Sequence, residues 1–357
     1  MKKCIMVVVN SRFLTQSITG VQRYAIEICL ELKKNLKENI VFVSPSNIKQ
    51  KEYAEKLSVK VVGCNKGYLW EQIDLPLYLR KKGNPLLLCL CNTAPIYYRN
   101  KIVTVHDVAF EAYPQTFNKV FLRVYRFIIP KILKSALKVI TVSQFSKEEI
   151  IKYYGIEKQK IVVVYGAVAH IFHLNKGLNV KKNKYFLAVS SLNYRKNFIS
   201  VLQAFEIYEK NQSDVFLYIV GDVNNNNFKN IDIARYKNDS QIKFLGRVSD
   251  EKLVEYYNNA CAFIFPSIYE GFGIPPLEAQ ACGCPVLVSD IPSLREVVAE
   301  SGMYCNPNVP KDIADGMRKI INNPNDLKKK GSENVKRFSY VISAKQIYDV
   351  IVECWRA

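Results

Sequence analysis

The sequence lacks the features that mark a membrane-spanning or secreted protein. Apolar runs such as Ile161–Tyr165 have the length of a strand, far below the roughly 20 residues of a membrane-spanning helix. The first apolar segment, Cys4–Val9, follows Met1 and two lysines without the small-residue cleavage site of a signal peptide. We therefore expect Cys4–Val9 to form the first strand of a cytoplasmic protein.

Metal-binding and dinucleotide-binding motifs are also missing. The sequence has ten cysteines but no C-x-x-C pair, and only three histidines. The spacings Cys89-x-Cys91 and Cys282-x-Cys284 do not fit a zinc knuckle, so we expect reduced, buried cysteines and no metal. The predicted loop Asn10–Thr19 has no G-x-G-x-x-G, which disfavours a nicotinamide-dependent dehydrogenase.

Acidic residues are scarce in the first half of the chain. The protein has 51 basic and 32 acidic residues, a net charge of +19; residues 1–175 hold 27 of the basic and 12 of the acidic ones. An excess of basic residues in one half of a chain is typical of proteins that bind nucleic acid, an anionic membrane or a phosphorylated substrate. No RNP-like, zinc-finger or helix-turn-helix pattern is present, so we favour a membrane surface or lipid-phosphate acceptor.

The chain alternates apolar, β-branched runs with helical patterns. This alternation predicts an α/β fold with parallel sheets covered on both faces, and 357 residues fit two doubly wound domains. The polar stretch Asn175–Lys184 is the predicted linker, and the tail from Ser339 a helix. We expect domains at 1–174 and 175–338, and a terminal helix at 339–357. The predicted strands are Cys4–Val9, Ile40–Val43, Val59–Val62, Leu86–Leu90, Ile102–Val105, Lys138–Val142, Ile161–Val164, Tyr185–Ala188, Val215–Val220, Ile242–Phe244, Ala262–Phe265 and Pro285–Val288.

The most informative segment follows the predicted strand Ala262–Phe265. Its two glycines allow positive φ and close approach of a ligand, and its two prolines fit the first turn of a helix. The glutamates beside exposed amides suit sugar hydroxyls and phosphates. A helix start that favours acidic residues is the alternative; it explains a glutamate in the first helical turn but not the rest. The segment reads Glu270-Gly271-Phe272-Gly273-Ile274-Pro275-Pro276-Leu277-Glu278.

Two cations follow the predicted strand Tyr185–Ala188. Arg195 and Lys196 precede Asn197, the predicted N-cap of a helix through Tyr208. Cations beside a helix N-terminus form an anion site, and a pyrophosphate is its natural ligand. A solvated basic turn is the alternative.

Three further positions lie at predicted strand ends or helix starts. Gly20 opens an amphipathic helix over Val21–Leu32, although a plain loop glycine fits nearly as well. His106 and Asp107 follow the strand Ile102–Val105, where ligands bind in doubly wound sheets. A lone histidine is more often structural than catalytic.

The segment Thr116–Leu137 combines basic with aromatic and aliphatic residues, interrupted near Pro130. A membrane-interface helix and a core-facing helix with a solvated basic side are equally good interpretations.

These motifs resemble those of retaining GT-B glycosyltransferases of family 4, in particular a group similar to bacterial surface-polysaccharide mannosyltransferases. Glu270 and Glu278 stand in the E-x7-E spacing of that family within Ser267–Asp290. The resemblance implies two Rossmann-like domains facing a cleft, a terminal helix that crosses back to the first, a nucleotide-diphosphate sugar as donor, no metal, and retention of configuration. It extends over Thr19–Tyr24, Val103–Asp107, Thr141–Ser146, Ser191–Asn197 and Phe244–Val248.

The resemblance also implies a role for each matching residue. Glu270 would bind the donor sugar and Glu278 the ribose, while Arg195 and Lys196 would stabilise the leaving diphosphate. His106 would lie near the reacting sugar, with Asp107 on the acceptor side. The remaining donor-binding positions are Gly20, Gly246, Val248, Gly271, Phe272, Gly273 and Ile274.

The expected function is transfer of a hexose to a glycan or polyprenyl-diphosphate-linked oligosaccharide in O-antigen-type polysaccharide biosynthesis. GDP-mannose is the first expected donor, ahead of UDP-sugars and deoxysugar donors, and no nucleic-acid partner is expected. The enzyme would be cytoplasmic, with peripheral contact to the inner face of the cell membrane. The alternatives are a nucleotide-sugar epimerase on the same fold, a non-catalytic nucleotide-sugar-binding subunit and, third, a nucleic-acid-binding protein.

Overall fold

A computed structural model describes residues 6–175, 184–189, 194–209, 214–221 and 233–356. The chain divides into two compact units, Met1–Gly166 with Ser339–Ala357, and Ala167–Phe338. The first residues of the predicted strand Cys4–Val9, and residues 176–183 of the predicted linker, lie outside the described part.

The first unit is built on a parallel sheet. Its described strands are β1 (Val7–Asn10), β2 (Ile40–Ser44), β3 (Lys60–Val61), β4 (Leu86–Cys89), β5 (Lys101–Thr104), β6 (Lys138–Thr141) and β7 (Ile161–Val163). They lie in the order β3-β2-β1-β4-β5-β6-β7, so the direction of strand addition reverses between β1 and β4. Ligands in such sheets bind beyond the carboxyl ends of the strands at this reversal, the topological switch point.

Helices lie in the connections between these strands, as is usual for parallel pairing, except between β4 and β5, which a loop connects. The helices are α1 (Gly20–Leu36), α2 (Lys51–Leu57), α3 (Gly67–Leu69), α4 (Leu75–Lys81), α5 (Ala109–Ala112), α6 (Lys119–Ser135) and α7 (Gln144–Tyr154). A π-helical turn, Trp70–Asp74, joins α3 to α4. All residues of β1, β4 and β5 are buried, which explains why β4 is continuously apolar and β1 is apolar up to Asn10.

The second unit repeats this plan. Its described strands are β8 (Lys184–Val189), β9 (Val215–Val220), β10 (Ile242–Gly246), β11 (Ala262–Phe265), β12 (Val286–Ser289) and β13 (Met303–Cys305), in the order β10-β9-β8-β11-β12-β13. Its switch point therefore lies between β8 and β11. Its helices are α8 (Phe198–Glu209), α9 (Ile233–Lys237), α10 (Asp250–Asn259), α11 (Ile274–Ala281), α12 (Pro292–Val298), α13 (Pro310–Asn322) and α14 (Pro324–Val335). The predicted doubly wound α/β class is confirmed in both units.

The last helix, α15 (Tyr340–Arg356), belongs to the first unit. It packs against α1, with the rings of Tyr24 and Tyr340 in edge contact at 6.3 Å and the Ser343 hydroxyl donating to the Tyr165 carbonyl at 2.8 Å. The units divide at Gly166, eight residues before the predicted boundary, because Ala169 and Phe172 pack into the core of the second unit.

Three details differ from the sequence-based expectations. Helix α6 continues through Pro130 without interruption, because the buried residues Ile128, Ile129, Ile132 and Leu133 hold the helix on both sides of the proline. The cysteines are not all buried: of the nine within the described residues, which are free thiols, Cys64 is exposed. Strand β13 was not predicted, because Met303–Cys305 is short and only its last residue is buried. No helix among the described residues is long and apolar enough to span a membrane.

Candidate functional site

The switch point of the second unit holds an ion pair between two predicted site residues. Lys196 follows β8 and Glu270 follows β11, and Lys196 Nζ lies 2.6 Å from Glu270 Oε1, with side chains only 21% and 11% exposed. The Lys196 ammonium also lies 5.1 Å from the centre of the Phe265 ring, within the range of a cation–π contact. The fold therefore joins two charges 74 positions apart.

Hydrogen bonds hold the two loops of this site together. The Ile268 amide donates to the Arg195 carbonyl at 2.7 Å, and Asn197 Nδ2 donates to the Pro266 carbonyl at 3.0 Å. Asn197 has φ +53°, a left-handed conformation that asparagine tolerates better than most residues. From the sequence, Asn197 was predicted only as a helix N-cap; the contribution of its side chain to joining the two loops was not predicted.

The glycine-rich loop between Glu270 and α11 is buried. Gly273 has φ +109°, and a Cβ atom at this position would lie 2.6 Å from Leu294 Cδ2. The positive φ expected of both glycines applies to Gly273 alone, since Gly271 does not have a positive φ. Gly273 is therefore required both by its backbone conformation and by the space available.

The start of α11 corrects the predicted position of Glu278. The helix begins at Ile274, with Gly273 as N-cap, and has no acidic residue in its first turn. Glu278 is its fifth residue, so stabilisation by the helix dipole does not account for it, because that effect fades beyond the first turn. Pro275 and Pro276 have no N–H group. The backbone N–H of Ile274, in the same first turn, has no hydrogen-bond partner within the helix.

Glu278 is buried, with 8% of its surface exposed. Burial, and next the neighbouring Glu278 carboxylate, raise the pKa of Tyr257 well above its usual value. The Tyr257 hydroxyl has no hydrogen-bond partner within the described part of the chain. Tyr257 was not predicted from the sequence, because it lies on α10 and is separated from Glu278 by a strand and a loop.

Gly246 and Val248 lie at the carboxyl end of β10, on the same edge of the sheet as Lys196 and Glu270. Gly246 has φ +67°, and an added Cβ would meet no atom of the described residues within 4 Å. Its carbonyl accepts from the Gly221 amide at 2.8 Å, which joins the ends of β9 and β10.

The predicted residues of the first unit are held by local contacts. Gly20 is the exposed first residue of α1, behind the capping box of Thr19 and Gln22. His106 is 7% exposed, and its Nε2–H donates to the Leu90 carbonyl at 2.9 Å, which leaves Nδ1 as the acceptor of the ring. Burial lowers the pKa of His106, so the imidazole is neutral at pH 7. Asp107 Oδ1 accepts from the Ala109 amide at 2.9 Å.

A second buried ion pair, at the switch point of the first unit, was missed by the sequence analysis. Arg12 Nε lies 3.2 Å from Glu71 Oε1, with side chains 11% and 1% exposed. A signal was present: Glu71 precedes Leu75 and Leu79 at four-residue spacing, so a charged residue shares the apolar face of a helix.

The described residues contain no group of three His, Cys, Asp or Glu side chains arranged to hold a metal ion.

Two doubly wound units, each with polar residues at its switch point, match the GT-B class of glycosyltransferases. Solved structures of that class superimpose on almost the whole chain. Anabaena Alr3699/HepE, crystallised with UDP and glucose, has a TM-score of 0.73 at 19% identity and covers 98% of this chain and 100% of its own. WaaG, a glycosyltransferase involved in lipopolysaccharide biosynthesis, has a TM-score of 0.72 at 14% identity, covering 97% and 99%.

Sequence relationships identify the family. The family described as "Glycosyltransferase Family 4" matches residues 18–170, and "Glycosyl transferases group 1" matches residues 171–338. The O-antigen chain mannosyltransferase RfbU of Salmonella typhimurium is 30% identical over 336 residues, 90% of this chain and 92% of its own. O-antigen chain mannosyltransferase B of Escherichia coli is 30% identical over 231 residues, 58% of this chain and 57% of its own. The chain belongs to glycosyltransferase family 4, as the motif resemblance indicated.

Proposed function

We propose that this glycosyltransferase moves mannose from GDP-mannose to a glycan acceptor, with retention of anomeric configuration, during assembly of a bacterial surface polysaccharide. The observation that carries the proposal is the Lys196–Glu270 ion pair at the switch point of the second unit. It combines a cation for a diphosphate with a carboxylate for sugar hydroxyls. The choice of mannose rests on the two relatives named as O-antigen chain mannosyltransferases.

The proposed chemistry is cleavage of the bond between the sugar C1 and the diphosphate oxygen, with attack by the acceptor hydroxyl on the same face and transfer of its proton to the leaving diphosphate oxygen. Arg195 and Lys196 stabilise the charge that develops on the leaving diphosphate, and Glu270 orients the sugar. Glu278 binds the ribose, and His106 acts on the acceptor side through Nδ1. No covalent nucleophile and no metal are assigned, so activity should persist in EDTA.

Binding of the donor is the first test. Calorimetric titration with GDP-mannose, UDP-glucose, UDP-galactose and a dTDP-deoxysugar should give binding, tightest for GDP-mannose. Tighter binding of another nucleotide sugar would replace GDP-mannose as the assigned donor, and binding of none of them would overturn the proposal. An α-linked product, detected by NMR, would establish retention; a β-linked product would exclude it.

The roles of the paired residues are tested by substitution. Glu270→Ala and Lys196→Ala should each lower kcat by about 10²-fold or more, because each removes a preorganised charge from the reacting groups. Lys184→Ala is the matched control, since Lys184 lies at the opposite end of β8 in an exposed pair with Asp214. Unchanged turnover of Glu270→Ala, with the fold intact by circular dichroism, would refute its assigned role.

The rival functions differ in their products. An epimerase would release an epimerised nucleotide sugar without an acceptor, and a binding subunit would retain the donor without turnover. A nucleic-acid-binding protein would bind DNA with strong salt dependence and no donor.

The lipid-linked form of the acceptor and peripheral membrane contact complete the proposal. Helix α6 is its proposed membrane-facing element, because Val120 and Phe127 are 71% and 58% exposed on a helix rich in lysine and arginine. A polyprenyl-diphosphate acceptor would place the enzyme at the inner face of the cell membrane.

A further inference from the structure

The switch point of the first unit also holds a buried ion pair, although its carboxylate comes from a helical turn rather than from a strand end. Asn10 ends β1 and Arg12 follows it, while Thr93 follows β4, the strand beside β1 across the reversal. Glu71 reaches the same point from the π-helical turn between α3 and α4. In the second unit the corresponding place holds the Lys196–Glu270 pair, so the first unit has a polar cluster where doubly wound sheets bind ligands.

The Arg12–Glu71 cluster, consisting of Asn10, Arg12, Glu71 and Thr93, is tightly connected. Glu71 Oε1 accepts hydrogen bonds from Asn10 Nδ2 at 2.7 Å, Arg12 Nε at 3.2 Å and the Thr93 hydroxyl at 3.1 Å. Arg12 Nη2 also lies 2.7 Å from Thr93 Oγ1. All three donors therefore meet at one carboxylate oxygen.

The other carboxylate oxygen remains without a partner. Glu71 is fully buried, and its Oε2 makes no hydrogen bond to any residue that the structure describes. Leaving a buried carboxylate oxygen unpaired is costly. Glu71 lines a cavity of about 10 Å³ together with Arg12, Gln16 and Thr93, which is enough for one oxygen atom the size of a water.

The charges around this cavity indicate what kind of group it accepts. The cluster holds a single cation, Arg12, which pairs with Glu71, whereas the loop of the second unit places Arg195 beside the Lys196–Glu270 pair; the cluster therefore lacks the second cation that would favour a phosphate. A hydroxyl group, which donates to a carboxylate and accepts from a guanidinium, fits the pair. Tyr68 is 39% exposed and its ring centre lies 4.8 Å from Arg12 Cζ, so an apolar ring face adjoins the polar groups.

We propose that the Arg12–Glu71 cluster recognises the acceptor sugar, with one acceptor hydroxyl entering the cavity and donating its hydrogen bond to Glu71 Oε2. Arg12 donates to the same or the neighbouring hydroxyl, and Tyr68 packs against the sugar ring. The ligand class is a neutral sugar residue. The inference rests on the proposed glycosyltransfer and adds to it the residues that choose the acceptor.

The test measures initial rates of transfer from GDP-mannose to octyl glycosides of mannose, galactose and N-acetylglucosamine. For the best acceptor, each monodeoxy analogue is measured as well. Glu71→Gln should raise the KM for the acceptor by about tenfold or more, because it removes the charged hydrogen-bond acceptor. The KM for the donor and the acceptor-independent hydrolysis of GDP-mannose should stay within about twofold.

The deoxy analogues separate recognition from a structural role. One analogue should be a poor acceptor for the wild type, yet equal to its parent glycoside for Glu71→Gln, because the missing hydroxyl and the missing charge belong to one interaction. Should Glu71→Gln fail to fold, Thr93→Val removes a single hydroxyl from the cluster and should raise the acceptor KM by about fivefold.

Glu149→Gln is the matched control, since Glu149 is a buried carboxylate of the same unit that pairs with Lys152 at 2.9 Å; it should leave both KM values unchanged. A lower melting temperature with an unchanged acceptor KM would make the cluster a structural ion pair and overturn the inference. Donor hydrolysis without transfer to any glycoside would also overturn it. If the wild type neither binds nor hydrolyses a nucleotide sugar, the proposed function itself fails.

Discussion

Gly273 combines a backbone conformation that favours glycine with a close neighbour. Its φ is +109°, and an added methyl group would lie 2.6 Å from Leu294 Cδ2. We expect Gly273→Ala to lower the free energy of unfolding by about 2–3 kcal/mol, because strain and a steric clash add together. It should also weaken donor binding, since it displaces the loop that follows Glu270.

The matched control for this substitution is Gly246→Ala. Gly246 also has a positive φ, +67°, but within the part of the chain that the structure describes an added Cβ meets nothing within 4 Å. Its cost should be limited to backbone strain, about 1–2 kcal/mol. Urea unfolding followed by circular dichroism compares the two; equal costs would show that the contact with Leu294 does not matter.

Lys101 is a fully buried lysine whose charge should make stability depend on pH. Its Nζ donates to the carbonyls of Pro95 at 2.8 Å and Tyr98 at 2.7 Å, and to the Ser135 hydroxyl at 2.7 Å. Burial nevertheless lowers the pKa of Lys101 to about 8 from an ordinary 10.5. Between these values the unfolded chain holds a proton that the folded chain has released, so stability rises with pH.

We therefore compare the wild type with Lys101→Met, which keeps the length of the side chain and removes its charge. The stability of the wild type relative to this variant should rise by about 3 kcal/mol as the pH increases through that window. Both tryptophans, Trp70 and Trp355, belong to the first unit, so tryptophan fluorescence follows the unfolding of that unit. A difference that stays constant or falls with pH would contradict the pKa shift.

At the scale of single elements, α6 presents apolar side chains to solvent. Val120 and Phe127 are exposed, and the Lys131 ammonium lies 3.3 Å from the centre of the Phe127 ring. If this face enters a membrane interface, Val120→Ser with Phe127→Ser should reduce binding to anionic vesicles by about tenfold, because apolar area is lost from the interface. Cosedimentation with phosphatidylglycerol vesicles measures the effect.

A control for α6 is available on α15. Val341 and Ile342 are 56% and 53% exposed, so replacing both with serine removes similar apolar surface from a different helix. Vesicle binding should be unchanged in this control. Equal binding by the wild type and the α6 variant would leave α6 as a helix with a solvated basic side.

Elements were predictable from the sequence where burial makes a strand continuously apolar. Val215–Val220 and Ala262–Phe265 have the predicted bounds, because each fills the interior of a sheet covered on both faces. Glu278 was placed in the wrong turn of α11 because two prolines predict a helix start only approximately. The helix begins at Ile274, directly after Gly273, which is the N-cap and has a left-handed backbone conformation.

At the scale of the whole molecule, the pairing of distant residues could not be derived from local patterns. The sequence identified Lys196 and Glu270 separately, but their contact depends on β8 and β11 being neighbours in the sheet. Arg12 follows β1, but Glu71 reaches it from the π-helical turn Trp70–Asp74. Contacts of both kinds follow from the strand order and from the packing between elements, which apolar patterns do not specify.

The terminal helix gives a test of how the two units depend on the last segment of the chain. Helix α15 follows the second unit in sequence, yet it buries Ile347 and Ile351 within the first. Deleting residues 340–357 exposes this apolar surface, and each buried isoleucine contributes about 1.5–3 kcal/mol. We expect the urea midpoint of the Trp70 fluorescence change to fall sharply.

Donor binding should respond differently, because the ion pair and the glycine-rich loop lie within the second unit. Calorimetry should find the affinity of the truncated chain for GDP-mannose within several-fold of the wild type. The doubly substituted Val341→Ser, Ile342→Ser chain is the control, since both positions face solvent and their loss should leave the Trp70 transition unchanged. If truncation abolishes donor binding but not the Trp70 transition, α15 supports the second unit instead. The expectation that donor binding does not depend on the core of the first unit would then be wrong.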